Sequence, residues 1–166
     1  GKPGDYLTDA LTDHAIRFIE DKQDSPFFLN FWFYTVHTPL GAKPELLKKY
    51  QVKAKKMGLG KKKVSGVSVH NSFADSRQDN PTYAAMVESL DENVGRVLDT
   101  LQRLNLRDNT ILLFTSDNGG LSTGSSPSSV TSILPNKAGK AWVYEGGIRV
   151  PLIIDAPMLK QKGTTL

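Results

Sequence analysis

The chain has 166 residues, a length that suggests one domain with enough material for a buried core. Counted with glycine and without tyrosine, apolar residues make up roughly 45% of it, an ordinary globular share that excludes collagen-like repeats. Twenty-one Lys plus Arg against seventeen Asp plus Glu leave a net charge of +4, too mild for a dedicated nucleic-acid binder and too balanced for a disordered tail.

Gly1 to Asp5 contains neither an initiating Met nor the basic-then-apolar layout of a signal peptide, so the chain is expected to start inside a longer protein. Asp5 to Glu20 is predicted to be a helix, with Asp5 or Thr8 as N-cap and Leu7, Leu11, Ala15 and Phe18 recurring at three- and four-residue intervals. Phe27 to Tyr34, a short aromatic run between Pro26 and Pro39, predicts a buried strand. The apolar run that contains it, Phe27 to Val36, is only about half of the roughly 20 residues a membrane-spanning helix needs. Lys43 to Lys63 holds nine Lys and one Glu, a local +8 against −4 for the other residues. It opens a basic insertion over 43–80, read as solvated and mobile rather than as a nucleic-acid surface because only Tyr50 interleaves the lysines.

Asn80-Pro81 supplies a cap and a first-turn proline. Tyr83, Met86, Val87, Leu90, Val94, Val97, Leu98, Leu101 and Leu104 then mark one face of a helix. After the Asp108-Asn109 turn, Thr110 to Ser116 is an apolar strand ending at Asp117-Asn118-Gly119-Gly120. Eleven of the seventeen residues from Leu121 to Lys137 are Ser, Thr, Gly or Pro, which predicts a long surface loop. Val150 to Ala156 is a third short strand. Strand, helix and strand in this order predict an α/β sheet with helices packed on it.

The chemistry-bearing residues follow from these elements. Ligands in open α/β sheets collect beyond the carboxyl ends of strands, where Asp117 and Asn118 lie. Their carboxylate and amide oxygens suit a hard cation such as Ca²⁺ or Mg²⁺, although Asp-Asn-Gly is equally a turn sequence. Lys140, next to Gly139, is either an oxyanion contact or a solvated loop lysine. His37, at the end of the aromatic run, either donates to an anion or leaving-group oxygen or is a hydrogen-bonded structural histidine. His14 and His70 have no partner at metal-ligand spacing and are read as surface residues. No dinucleotide fingerprint, Walker sequence, serine elbow or paired-His zinc motif is present. The absence of cysteine excludes disulfides, thiolate metal sites and a cysteine nucleophile within the chain.

Three segments together, Phe33-Tyr34-Thr35-Val36-His37-Thr38-Pro39, Thr110 to Gly120, and Gly139-Lys140 leading to Tyr144-Glu145-Gly146-Gly147-Ile148-Arg149-Val150-Pro151, resemble the middle portion of the formylglycine-dependent sulfatases of the alkaline phosphatase superfamily. The helix from Tyr83 to Leu104, with Asp91 and Gly95, is also similar to that family. The resemblance implies a large mixed sheet between helices, present here only in part, with the whole chain belonging to one catalytic domain. It implies that Asp117 and Asn118 are metal ligands for Ca²⁺, with Mg²⁺ as the other choice. It further implies that Lys140 and His37 contact the sulfate group of a sulfated small molecule or glycan. The family's Cys/Ser-x-Pro-x-Arg motif, its Asp-Asp metal pair and further lysine and histidine contacts lie upstream of the His-x-Pro segment and are missing from this chain. The formylglycine is therefore expected from an upstream cysteine, and the isolated chain is expected to be inactive. A phosphoester or phosphonate hydrolase of the same superfamily is the competing enzyme reading, disfavoured because such enzymes more often carry histidine where Asn118 stands. A non-catalytic polyanion-binding module is the third. By the same resemblance the protein is expected to be exported, periplasmic, extracellular or lysosomal; the mild net charge and the sparse aromatics among the lysines predict no nucleic-acid partner.

Overall fold

A computed structural model describes residues 4–59, 66–69, 72–124, 129–159, 163 and 165. Three long helices form one side. The first, α1 (Leu7–Lys22), begins after Tyr6 without a side-chain cap, so neither Asp5 nor Thr8 is its N-cap. Thr8 lies inside the first turn. The buried line of the helix runs through Thr8, Thr12, Ala15 and Ile19, at three- and four-residue spacing but rotated from the expected stripe, so that Leu7 is exposed. Two threonines can be buried because both hydroxyls are bonded: Thr12 Oγ1 donates to Thr8 O at 2.8 Å, and Thr8 Oγ1 meets Thr35 Oγ1.

The second helix, α2 (Pro44–Lys56), occupies the lysine-rich stretch that was expected to be a mobile insertion. Pro44 fits the first turn, and Leu46, Leu47, Tyr50 and Ala54 form a buried or half-buried side under the lysines. The third, α3 (Pro81–Arg103), starts as expected: Asn80 Oδ1 accepts from the amides of Thr82 and Tyr83 at 3.0 and 3.1 Å.

Helix α3 packs against both α1 and α2. At its centre Asn93 is fully buried and fully used: its Nδ2 donates to Asp9 Oδ1 at 2.7 Å and to Ser89 O at 2.8 Å, and its Oδ1 accepts from Arg96 at 3.0 Å. Ion pairs strap the three helices. Lys43 lies 2.9 Å from Asp9 and 3.5 Å from Glu92, Arg103 lies 2.6 Å from Glu20, and Arg96 and Lys49 pair with Asp13 and Glu88. Partial burial opposes the charge on Lys43, but the hydrogen bond to Asp9 and the attraction of Asp9 and Glu92 outweigh it and raise its pKa above the ordinary lysine value. The Lys49 hydrogen bond holds the Glu88 carboxyl below the usual range.

The strands are short. β1 (Gly66–Val69) and β2 (Ser72–Asp75) form an antiparallel pair, and β4 (Thr123–Gly124) adds to β2 to give the order β1-β2-β4. β3 (Leu112–Thr115) and β5 (Leu152–Asp155) pair antiparallel, with Leu112 opposite Asp155 and Thr115 opposite Leu152. Thr115 Oγ1 donates to Pro151 O at 2.9 Å at one end of this ladder, and Arg107 pairs with Asp155 at the other. Helices and small sheets of this kind fit an incomplete α/β domain.

Two expectations need correction. Phe27 to Tyr34 is not a strand, because it has no ladder partner among the described residues. It keeps the alternation of one: Phe27, Leu29, Phe31 and Phe33 are half-buried while Phe28, Asn30, Trp32 and Tyr34 are exposed. The Ser-rich stretch, expected on the surface, buries Ser122, Thr123, Thr131 and Ser132. Small side chains let the backbone pack closely, and Ser122 Oγ finds Ala138 O at 2.8 Å. Lys61 to Lys63 and His70 lie outside the described residues.

Large apolar side chains remain uncovered on the strands and on the aromatic run. Phe28 is 87% exposed, Trp32 75%, and Leu113 and Leu152 63% each. Among the described residues no helix is long and apolar enough to cross a membrane.

Candidate active site

Strand β3 leads into Ser116, Asp117 and Asn118, where the chain turns away from the sheet. Ser116 Oγ donates to Asn118 O at 2.9 Å, and Asn118 Nδ2 donates to Gly119 O at 3.0 Å. The second bond leaves Asn118 Oδ1 as the amide's outward acceptor. Asp117 is exposed, and its carboxylate makes no hydrogen bond or ion pair among the described residues. A carboxylate and an amide oxygen, neither committed to the protein, are donors that fit a hard divalent cation. Two donors fill only part of such a coordination sphere, and among the described residues no three His, Asp or Glu side chains gather around a possible metal position.

The turn is held by residues far along the sequence. Gly119 N donates to Gly147 O and Lys140 N donates to Gly120 O, each at 2.9 Å, so the segments around 118, 140 and 147 form one loop cluster. Here α4 (Glu145–Ile148) supplies a single helical turn whose Gly146 and Gly147 are buried. The glycines answer to close backbone approach. A Cβ on Gly119 would overlap the Gly146 carbonyl oxygen, and one on Gly147 would overlap the Trp142 carbonyl oxygen.

Ala138 and Ala141 bracket Gly139-Lys140 at φ 64° and 72°, a left-handed backbone that costs an L-residue roughly 1–2 kcal/mol. The surroundings fix it: Ala138 is buried against Ala74, Trp142 and Tyr144, and Trp142 N donates to Gly139 O at 3.1 Å. Trp142 stacks on Tyr144, its Nε1 donates to Thr123 Oγ1 at 3.1 Å, and Lys137 sits 3.9 Å over the Tyr144 ring. Lys140, half-exposed, makes no side-chain hydrogen bond or ion pair among the described residues.

His37 is positioned separately. It is exposed, its amide donates to Tyr34 O at 2.9 Å, and its Nδ1 lies 2.6 Å from Thr38 O. A carbonyl only accepts, so Nδ1 carries the proton and Nε2 is the free nitrogen. The Thr35–Thr8 contact ties this segment to α1. The structure thus brings Asp117, Asn118 and Lys140 into one loop cluster, and among the described residues no hydrogen bond or ion pair joins His37 to it. His14, exposed on α1 with its Nδ1 3.4 Å from Arg17, stays a surface residue.

Sequence reasoning missed the left-handed alanines and the Trp142–Tyr144 stack that Lys137 overlies. The visible signals were the paired glycines at 146–147 and the Trp142-Val143-Tyr144 alternation.

A family model described as Sulfatase matches residues 1–165. The chain belongs to the sulfatase family. It is 38% identical over 162 residues to a sulfatase of Formosa agariphila, an alignment covering 92% of this chain and 25% of that protein. It is 32% identical over 164 residues to the steryl-sulfatase of Homo sapiens, covering 96% of this chain and 23% of that protein. Among solved structures it is similar to Ps i-CgsB in complex with k-i-k-neocarrahexaose, at 34% identity and a TM-score of 0.69, covering 92% of this chain and 28% of that one. This sulfatase chain spans about a quarter of the length of the curated relatives it matches.

Proposed function

We propose that the chain carries part of the catalytic centre of an enzyme that hydrolyses sulfate esters. Asp117 and Asn118 hold a divalent cation, Ca²⁺ or Mg²⁺, and Lys140 and His37 contact the sulfate group of a sulfated small molecule or glycan. The observation that carries this reading is the backbone bond from Lys140 to Gly120, because it puts an uncommitted ammonium on the same loop cluster as two uncommitted oxygen donors.

Ester cleavage spreads negative charge over the sulfate oxygens and the departing alkoxide. The cation, when bound, supplies Lewis-acid charge there. Lys140 adds a compact positive charge held by a fixed backbone. His37, with Nδ1 committed to Thr38 O, has Nε2 left to donate to the leaving oxygen, and it does so when the ring is protonated. The attacking group is a formylglycine made from a cysteine, and this chain contains no cysteine. The complete protein is assigned to an exported, periplasmic, extracellular or lysosomal setting.

The test is hydrolysis of an aryl sulfate. The complete protein should turn it over, lose activity on chelation and regain it with Ca²⁺, whereas the isolated 166-residue chain should give no turnover above a mock purification. Metal-dependent turnover by the isolated chain would mean that the nucleophile is misassigned. Preference of the complete protein for an aryl phosphate would replace the sulfatase reading.

A further inference from the structure

The bend that carries Lys140 is a backbone conformation that its own residues disfavour. Ala138 and Ala141 both lie in the left-handed region, at φ 64° and 72°, where a Cβ is crowded. On one side the bend is fixed by the chain just after the Asp117-Asn118 turn. Lys140 N donates to Gly120 O at 2.9 Å, and Ser122 Oγ donates to Ala138 O at 2.8 Å. A Cβ on Gly139 would fall 2.3 Å from Ser122 Oγ and 2.6 Å from Gly120 O, so this segment lies directly against the bend.

On the other side stands Trp142. Its backbone N donates to Gly139 O at 3.1 Å, and its Nε1 donates to Thr123 Oγ1 at 3.1 Å. The ring stacks on Tyr144, with centroids 6.1 Å apart and planes 18° apart, and both rings pack against buried Ala138 and Ala74. Thr123 belongs to β4 and sits opposite Ala74 of β2, so the indole ties the bend to the β1-β2-β4 sheet. Packing alone would leave the ring free to shift, whereas a donor-only Nε1 bonded to a buried threonine fixes its direction. Return of either alanine to the ordinary region of negative φ would turn the chain beside Lys140 and redirect its ammonium.

We infer that Trp142 is a positioning residue for Lys140: the indole, held by Thr123 and Tyr144, keeps Ala138 to Ala141 in the bend that holds the lysine in the loop cluster of Asp117 and Asn118. This rests on the sulfate-ester reading above for its effect on rate, and on the geometry alone for its effect on the bend.

The test uses the complete protein with Trp142→Leu, which removes ring and bond, Trp142→Phe, which keeps a ring to stack, and Thr123→Val, which removes the acceptor. Hydrogen exchange at the Lys140 amide should quicken about tenfold or more in Trp142→Leu and less in the other two, while amides of α3 exchange as before. Turnover of an aryl sulfate should fall about tenfold or more in Trp142→Leu, the cost of a misplaced group, and Trp142→Phe should recover part of it. In a Lys140→Ala background, Trp142→Leu should lower kcat no further, because the bend then has no ammonium to place. The same factor lost in both backgrounds would overturn the inference, giving the tryptophan a general structural role or a substrate contact of its own. An unchanged exchange rate at the Lys140 amide would overturn it as well. If Trp142→Leu unfolds, Trp142→Phe and Thr123→Val decide by the same two comparisons. Should Lys140→Ala leave turnover intact, the catalytic reading of Lys140 fails, and exchange at its amide still decides whether Trp142 holds the bend.

Discussion

Changing Lys140 to Ala in the complete protein should lower turnover of an aryl sulfate by about 10² to 10³, roughly 3–4 kcal/mol of transition-state stabilisation. The structure separates this effect from folding. Lys140 is joined to Gly120 through its backbone amide, which alanine retains, and its ammonium makes no hydrogen bond or ion pair among the described residues that would be left unpaired. Ala138 and Ala141, which bend the chain around it, keep their surroundings. The melting temperature should therefore stay close to that of the unaltered protein while kcat falls. Arg at this position would keep the charge but replace a point cation by a wider planar fork, so it should rescue only part of the rate. A Lys140→Ala protein with kcat within twofold of the original would remove Lys140 from the sulfate contact.

Asp117→Ala should abolish most metal content and activity together. Of the two donors after β3, only Asp117 brings a full negative charge, and hard divalent cations bind carboxylate oxygens strongly in proportion to the charge gathered around them. Asn118 alone offers one neutral amide oxygen, its nitrogen being tied to Gly119 O. The exposed carboxylate supports no other contact among the described residues, so its loss should leave stability nearly unchanged. Elemental analysis of the purified complete protein, alongside the aryl sulfate assay, reads both effects. Full metal content in the variant would place the cation on other residues.

The parts of the fold that were legible in the sequence are those written in local chemistry. Asn80-Pro81 states a helix start because an amide side chain followed by proline satisfies the first free amides, and α3 begins there. The apolar runs at β3 and β5 read as strands, and both are strands, with ends trimmed to Leu112–Thr115 and Leu152–Asp155. Phe27 to Tyr34 carries the same local signal but forms no ladder, since pairing is a property of neighbours and the described residues offer it none. In α2 the lysines hid a helical apolar side of only four residues. In the stretch after Leu121, hydroxyl groups masked burial, because hydropathy scores Ser122 and Thr131 as polar while their packing depends on hydrogen bonds made elsewhere.

The candidate site shows the same division. Asp117 and Asn118 were legible as a pair after an apolar strand. The joining of Lys140 to that pair runs through backbone bonds between segments some twenty residues apart, to which local pattern is blind, and it could be anticipated only from the combination of motifs. His37 was legible as either an anion contact or a hydrogen-bonded histidine; its Nδ1 is hydrogen-bonded to Thr38 O, and among the described residues no hydrogen bond or ion pair joins it to the others.

The most direct measurement is a crystal structure of the complete protein with Ca²⁺ and sulfate bound. It should show one cation at roughly 2.3–2.6 Å from oxygens of both Asp117 and Asn118, and a sulfate contacted by Lys140 Nζ and His37 Nε2 together. A cation bound without either residue, or Lys140 and His37 on opposite faces of the sheet with the sulfate touching neither, would contradict it.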